Sequence, residues 1–184
     1  GILAGIRFAR DIFYLKGCRV RIIKKDGAKV KPNQTILQVS GDAKAVLSCE
    51  RTVLNLLARM SGIATQTSLL VSKIRKINRK TKLYSTRKTA PGLRFFDKEA
   101  VAIGGGHKHR MSLNDMVMIK DNHLLVSNSI ENITKNARKQ HRDVEVEVEN
   151  QRDAMIAASS GATIVMLDNF SPAQIKKTIS ALQK

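Results

Sequence analysis

From Leu83 onward, short apolar runs alternate with amphipathic stretches at regular spacing, and this alternation restricts the fold more than any other feature of the chain. Leu83 to Thr86 reads as a strand, followed by a loop with Pro91-Gly92 and a helix from about Phe95. Met116 to Lys120 is a second strand, and Ser127 or Ser129 caps the next helix, whose stripe is Ile130, Ile133 and Ala137. Val144 to Val148 is a third strand, and Asn150 caps a helix that ends at Gly161. Ala162 to Leu167 is a fourth, and Ser171-Pro172 opens a last helix as its N-cap and first residue. Strand and helix in strict alternation predict a parallel sheet, either closing into a barrel or open and doubly wound.

The chain before this region is different. Val20 to Ile23 and Thr35 to Val39 read as strands, with a hairpin turn at Asp26-Gly27 between them. Val53, Leu56, Leu57 and Met60 mark a helical face that Ser61-Gly62 is expected to break, with a second helix from about Ala64 to Arg79. The expected division is a partial α/β domain over residues 1–49 and a partial β/α barrel over 50–184. The chain begins at Gly1 and stops at Lys184 inside an apparent helix, so it reads as cut at both ends.

The net charge of +18 calls for an anionic partner or a well-solvated surface. The densest basic run, Ser72 to Lys82, carries Val71, Ile74 and Ile77 at helical spacing, which predicts one buried stripe under a solvated basic face. With only 4% aromatic residues, platforms for stacking bases are scarce, which argues against a nucleic-acid groove. No apolar run reaches membrane-spanning length and no secretory signal is visible. Cys18 and Cys49 lack metal-ligand or redox spacing and read as reduced thiols of a cytoplasmic protein.

Charge falls at the ends of the predicted strands: Arg87 and Lys88 after the first, Lys120 closing the second, Glu147 near the end of the third and Asp168 ending the fourth. In parallel α/β folds the carboxyl ends of strands form the active-site rim. In VEVEVEN, Glu145, Glu147 and Glu149 share one face and Val144, Val146 and Val148 the other. Enclosed carboxylates need cations, either Arg87, Lys88 and Lys120 or a divalent metal. Gly104-Gly105-Gly106, beside His107, Lys108, His109 and Arg110, reads either as a bare backbone that approaches an anion or as a flexible link. Arg87 and Arg110 have the planar fork that grips a carboxylate. No dinucleotide or Walker glycine motif, nucleophilic triad or zinc spacing is present.

ERTVLNLLARMSGIAT, TRKTAPGLR, GGGHKHRMSLNDMVMIKDNH, VEVEVEN and MLDNFSP, in this order and spacing, closely resemble quinolinate phosphoribosyltransferases, and the likeness covers essentially the whole chain. The resemblance implies a small α/β domain followed by an incomplete α/β barrel. The implied reaction joins quinolinate and phosphoribosyl pyrophosphate, with Mg²⁺, to give nicotinate mononucleotide, pyrophosphate and CO₂ in NAD biosynthesis. It also implies a homodimer or a hexamer with shared active sites, in which Arg51 reaches quinolinate from the neighbouring subunit. Arg87, His109 and Arg110 would bind quinolinate, Lys88 the phosphoribosyl pyrophosphate, and Lys120 the substrates. Glu147 and Asp168 would serve the ribose and its metal. Ser85 stands where many members have Asp, with little expected effect. The family's further N-terminal helices, and later barrel strands whose loops hold the ribose phosphate, are not in the sequence, so the chain is expected to be an inactive fragment. The competing readings are a same-fold paralogue acting on nicotinate or a related acid, and a basic nucleic-acid-binding module.

Overall fold

The computed structural model describes residues 1–183, so Lys184, read above as still helical, lies outside the described residues. The chain divides into two compact units, Gly1–Met111 and Ser112–Lys184.

In the first unit, helix α1 (Ile6–Leu15) precedes an antiparallel pair, β1 (Arg19–Ile22) and β2 (Leu37–Ser40), then the long helix α2 (Ala43–Ile77) and α3 (Arg94–Ile103). Ile6, Ala9 and Phe13 of α1 pack with Cys49, Val53 and Leu57 of α2 in one apolar cluster. Both cysteines are free and buried. The Asp26-Gly27 turn does not join β1 to β2 directly. Asp26 instead accepts the Ile6 amide through Oδ1 at 2.9 Å and so satisfies one open N–H at the start of α1.

Helix α2 continues through Ser61-Gly62 where a break was expected. Its buried residues Cys49, Val53, Leu57, Met60, Ala64, Thr67 and Val71 recur every three or four positions without interruption, so packing outweighs the cost of one interior glycine, roughly 1 kcal/mol. Ser61 and Thr65 hold the start of the chain instead: Ser61 Oγ accepts the Ala4 amide at 3.0 Å and Thr65 Oγ1 the Ile2 amide at 2.7 Å. The expected stripe in the basic run holds at Val71 but fails at Ile77, which is 90% exposed. Three-residue steps fall short of a full helical turn, so Ile77 has rotated well off the face that Val71 occupies. Leu83 to Thr86 is not a sheet strand. Tyr84 makes only an isolated parallel bridge with His107.

The second unit holds a parallel sheet ordered β3 (Val117–Ile119), β4 (Val144–Val148), β5 (Ile164–Leu167). A short helix α4 (Asp121–Ser127) and α5 (Ile130–Gln140) connect β3 to β4, α6 (Gln151–Ser159) connects β4 to β5, and α7 (Pro172–Leu182) follows. The caps read from the sequence are made. Ser129 accepts the Asn132 amide, Asn150 the Asp153 amide, and Ser171 with Gln174 forms a reciprocal capping box. Ile119, Val144, Val146 and Val148 form the core with Ala154 and Ala157 of α6, so the valine face lies under the helices as predicted. The elements are the expected mixed α/β set, and the second unit carries the parallel strand-helix repeats of a partial β/α barrel.

Candidate functional site

In the first unit the sequence places Arg87 and Lys88 in one loop and His109 and Arg110 in another, and the backbone brings these loops side by side. The His107 amide donates to the Leu83 carbonyl at 2.8 Å and the Ser85 amide to the His107 carbonyl at 2.9 Å. The Ser85 hydroxyl then donates to the Lys108 carbonyl at 2.5 Å. The Tyr84 ring lies 5.1 Å from His107 and edge-on to His109 at 5.8 Å. His109 adopts φ +53°, a left-handed conformation that a non-glycine residue keeps only when its surroundings impose it. The Arg87 Nε is shielded from solvent and has no hydrogen-bond partner among the described residues.

The Arg87–Lys88 loop is anchored at its far end by Asp97 of α3. Arg59 of α2 grips Asp97 with two bonds, Nε to Oδ1 at 2.7 Å and Nη2 to Oδ2 at 2.8 Å, and the Ala90 amide donates to Oδ2 at 3.2 Å. The Arg59 guanidinium, foremost by hydrogen bonding, holds the Asp97 carboxyl below the usual carboxylate range, against the opposing effect of burial. A cavity of about 320 Å³ is lined by Lys88, Arg59, Ser85, Thr86, Thr89 and Lys98 among others, within the size range of small-molecule sites. Arg51 stands on the exposed side of α2, eight residues before Arg59 and so about 12 Å away along the helix axis.

The three glycines do not form a ligand cradle. The Gly104, Gly105 and Gly106 amides donate to the carbonyls of Ala100, Ala102 and Val101 and so close the end of α3. A Cβ on Gly104 would lie 2.5 Å from the Ala64 carbonyl oxygen, so the loop needs a bare backbone to pass against α2. The glycine run is packing.

In the second unit, the parallel register places Ile119 beside Val146 and Val148 beside Leu167, so Lys120 and Asp168 follow the carboxyl ends of the strands on either side of Glu147. The Lys120 ammonium is bonded to Glu147 Oε2. The Lys120 amide donates to His123 Nδ1 at 3.0 Å, which leaves the proton of a neutral ring on Nε2. Glu145 is buried, Glu147 half-buried and Glu149 exposed, so the carboxylate column rises toward the strand ends. Asn169 donates to Asp168 Oδ2 at 2.9 Å. A wider cleft of about 660 Å³, lined by residues of α4, α5 and α6, contains none of Lys120, Glu147 and Asp168.

Among the described residues no group of three or more His, Cys, Asp or Glu side chains is arranged for a metal. Mg²⁺ is commonly bound through one or two carboxylates, with substrate phosphates and water completing its shell. Glu147 and Asp168, hard oxygen donors at neighbouring strand ends, fit that minimal set. Two residues the sequence reading missed are Asp97 and Lys98, both buried in α3. A charged residue in an amphipathic helix is ordinarily solvated, and nothing local marks these two as exceptions.

A family model described as quinolinate phosphoribosyl transferase, N-terminal domain, matches residues 1–61, and its C-terminal counterpart matches residues 63–184. The chain is 43% identical over its full length to a probable nicotinate-nucleotide pyrophosphorylase (carboxylating) of Archaeoglobus fulgidus, and covers 71% of that protein. It is 41% identical to the probable enzyme of the same name from Methanothermobacter thermautotrophicus, covering all of this chain and 67% of the relative. The solved nicotinate-nucleotide pyrophosphorylase of Francisella tularensis superimposes with a TM-score of 0.91 at 38% identity, over 99% of this chain and 66% of that one. The chain thus spans about two thirds of the length of these proteins.

Proposed function

We propose, from the premise that the chain belongs to the quinolinate phosphoribosyl transferase family, that it serves the transfer of a phosphoribosyl group to quinolinate with loss of CO₂, a step of NAD biosynthesis. The observation that carries this reading is the pairing of the 83–85 and 107–108 segments, which sets the Arg87–Lys88 loop beside the one bearing His109 and Arg110. Quinolinate is a dianion and phosphoribosyl pyrophosphate more negative still, so binding the two together requires several fixed cations. Arg87, His109 and Arg110 are assigned to the quinolinate carboxylates, Lys88 to the phosphoribosyl pyrophosphate and Lys120 to the substrates.

In the reaction, the pyridine nitrogen bonds to ribose C1 as the bond from C1 to the pyrophosphate oxygen breaks, and pyrophosphate leaves with that electron pair. The ribose is oxocarbenium-like as the bond breaks, and Glu147 and Asp168 stabilise positive charge that is greatest in the transition state. The quaternary nitrogen then draws electrons. The C2–carboxylate bond breaks to release CO₂, and the pair left on C2 takes up a proton. Mg²⁺, held by Glu147 and Asp168 when bound, would neutralise charge on the departing pyrophosphate. Most of the remaining rate comes from holding two reactants in alignment.

The reading extends to a homodimer or hexamer in which Arg51 completes a neighbour's site, supported by the exposed position of Arg51 on α2. It extends also to a cytoplasmic setting, supported by two free buried thiols. Among the described residues no helix is long and apolar enough to cross a membrane.

Calorimetric titration of the full-length protein with quinolinate tests the assignment. Arg87→Ala and Arg110→Ala should each weaken binding about 30-fold or more, the loss expected when one partner of a desolvated charge pair is removed. Release of CO₂ in step with pyrophosphate distinguishes quinolinate from nicotinate as substrate. Unchanged binding in both variants, or pyrophosphate released without CO₂, would overturn the reading.

A further inference from the structure

Asp97, Lys98 and Glu99 are consecutive in α3, and each ties other segments of the first unit to the helix. Asp97 holds Arg59 and the Ala90 amide. Glu99 pairs with Arg7 at 3.0 Å and with the Lys108 ammonium. Lys98 is fully buried, at 0% exposure. An ammonium removed from water is tolerated only where acceptors replace its hydration. Its Nζ donates to Ser85 Oγ at 3.0 Å and to the main-chain carbonyl of Lys108.

That carbonyl belongs to the peptide unit that leads into His109, the residue held at φ +53°. Holding this peptide plane orients the main chain from which the left-handed step begins, and that step sets where the His109 and Arg110 side chains project. Ser85, the other acceptor, stands two residues before Arg87. One buried ammonium therefore joins the main chain entering His109 to the segment entering Arg87. A surface ion pair would not provide this, because it is screened and its side chains are free to reorient.

We infer that Lys98 is a positioning residue for the pyridine dicarboxylate, locking the 85–87 and 108–110 segments into one preset arrangement so that Arg87, His109 and Arg110 meet the ligand without reordering. The inference rests on the assignment of these three residues to quinolinate. Ordering a loop at the moment of binding subtracts from affinity, and a loop locked beforehand avoids that loss. The loop that carries Lys88 is also tied at Ala90 by Asp97, and Lys88 lies on the Ala90 side of Arg87, farther from Ser85, so the phosphoribosyl pyrophosphate side depends less on Lys98.

The test uses the full-length enzyme with Lys98→Met, which keeps the length and removes the charge, and Ser85→Ala, which keeps the ammonium and removes one of its acceptors together with the hydroxyl's own bond to the Lys108 carbonyl. Quinolinate affinity is read by calorimetry, both KM values and kcat by steady-state kinetics, and folding by thermal midpoint. Lys98→Met should weaken quinolinate binding about 10-fold or more while KM for phosphoribosyl pyrophosphate changes less than about threefold, and Ser85→Ala should shift quinolinate affinity in the same direction by about threefold. A Lys98→Met protein that binds quinolinate as the wild type does overturns the inference, as does one that loses both substrates equally along with its thermal midpoint. Should Lys98→Met fail to fold, Ser85→Ala decides, and unchanged quinolinate affinity there overturns it. If Arg110→Ala loses quinolinate and Lys98→Met does not, only the positioning role fails. If neither does, the functional assignment itself fails.

Discussion

Lys120 reaches Glu147 across two neighbouring parallel strands, its ammonium bonded to the Glu147 carboxylate from the end of β3. The lysine side chain is 37% exposed and the glutamate 18%, so the pair is partly open to water. Pairs of this kind add little to stability, about 0–1 kcal/mol. In the proposed reaction the carboxylate would instead stabilise charge that develops on the ribose. Glu147→Gln should lower kcat by about 100-fold or more, the typical loss when one preorganised group facing developing charge is removed. Its thermal midpoint should stay within a few degrees of wild type. Steady-state pyrophosphate release and thermal unfolding of the full-length protein check the two halves of this expectation.

The Asp97–Arg59 pair gives a pH dependence whose sign is fixed. Asp97 titrates lower in the folded chain than its ordinary value because Arg59 hydrogen-bonds to it. Between the folded value and the unfolded value, about 3.9, the unfolded chain binds more protons, so stability rises with pH. The contribution is complete above about pH 5 and is lost as pH falls through the folded value. Asp97→Asn should therefore be less stable than wild type at pH 7, and the gap should narrow on acidification below about pH 4. Urea unfolding at a series of pH values measures it, and a gap constant with pH would contradict the account.

Legibility from sequence followed the range of the interactions involved. Strands β4 and β5 and the caps at Ser129, Asn150 and Ser171 were readable because alternation and capping act within a few residues. Helix α1 and the true role of Asp26 were not, because the Asp26 contact that starts the helix spans 20 positions. The continuity of α2 was hidden for the same reason: Ser61-Gly62 has the look of a stop, while what decides is tertiary packing along the whole buried face. At the site, the strand alternation alone located Lys120, Glu147 and Asp168 at strand ends. Lys98 and Asp97 carried no local signal, since their partners lie 7 to 38 residues away.

Two glycines separate packing from conformational freedom. Gly104 meets the Ala64 carbonyl oxygen and Thr67 Cβ within 2.7 Å of an added Cβ, and backbone cannot yield cheaply. Gly104→Ala should destabilise by about 2–3 kcal/mol through overpacking. Gly62, inside α2, has nothing within 4 Å of the same position. Gly62→Ala should stabilise by about 0.5–1 kcal/mol through helix propensity and a less flexible unfolded chain. Urea midpoints of the two variants should move in opposite directions. Equal shifts would show that the glycine run is not packed as described.

Subunit mixing tests the proposed donation of Arg51 to a neighbour's site. In Arg51→Ala the missing cation would be the one supplied to the other subunit, whereas Glu147→Gln disables the subunit that carries it. In a mixed dimer of the two variants, the subunit with intact Glu147 receives an intact Arg51 from its partner, and the other site lacks both. Random reassortment of equal amounts of two inactive homodimers makes half the dimers mixed, each with one working site, so about a quarter of wild-type activity should return. If Arg51 instead acts in its own subunit, each site in the mixed dimer lacks one essential group and no activity returns. Pyrophosphate release measured before and after dissociation and reassembly of the mixture distinguishes these outcomes, and recovery would also show that the exposed face of α2 bearing Arg51 lies against a second copy of the chain.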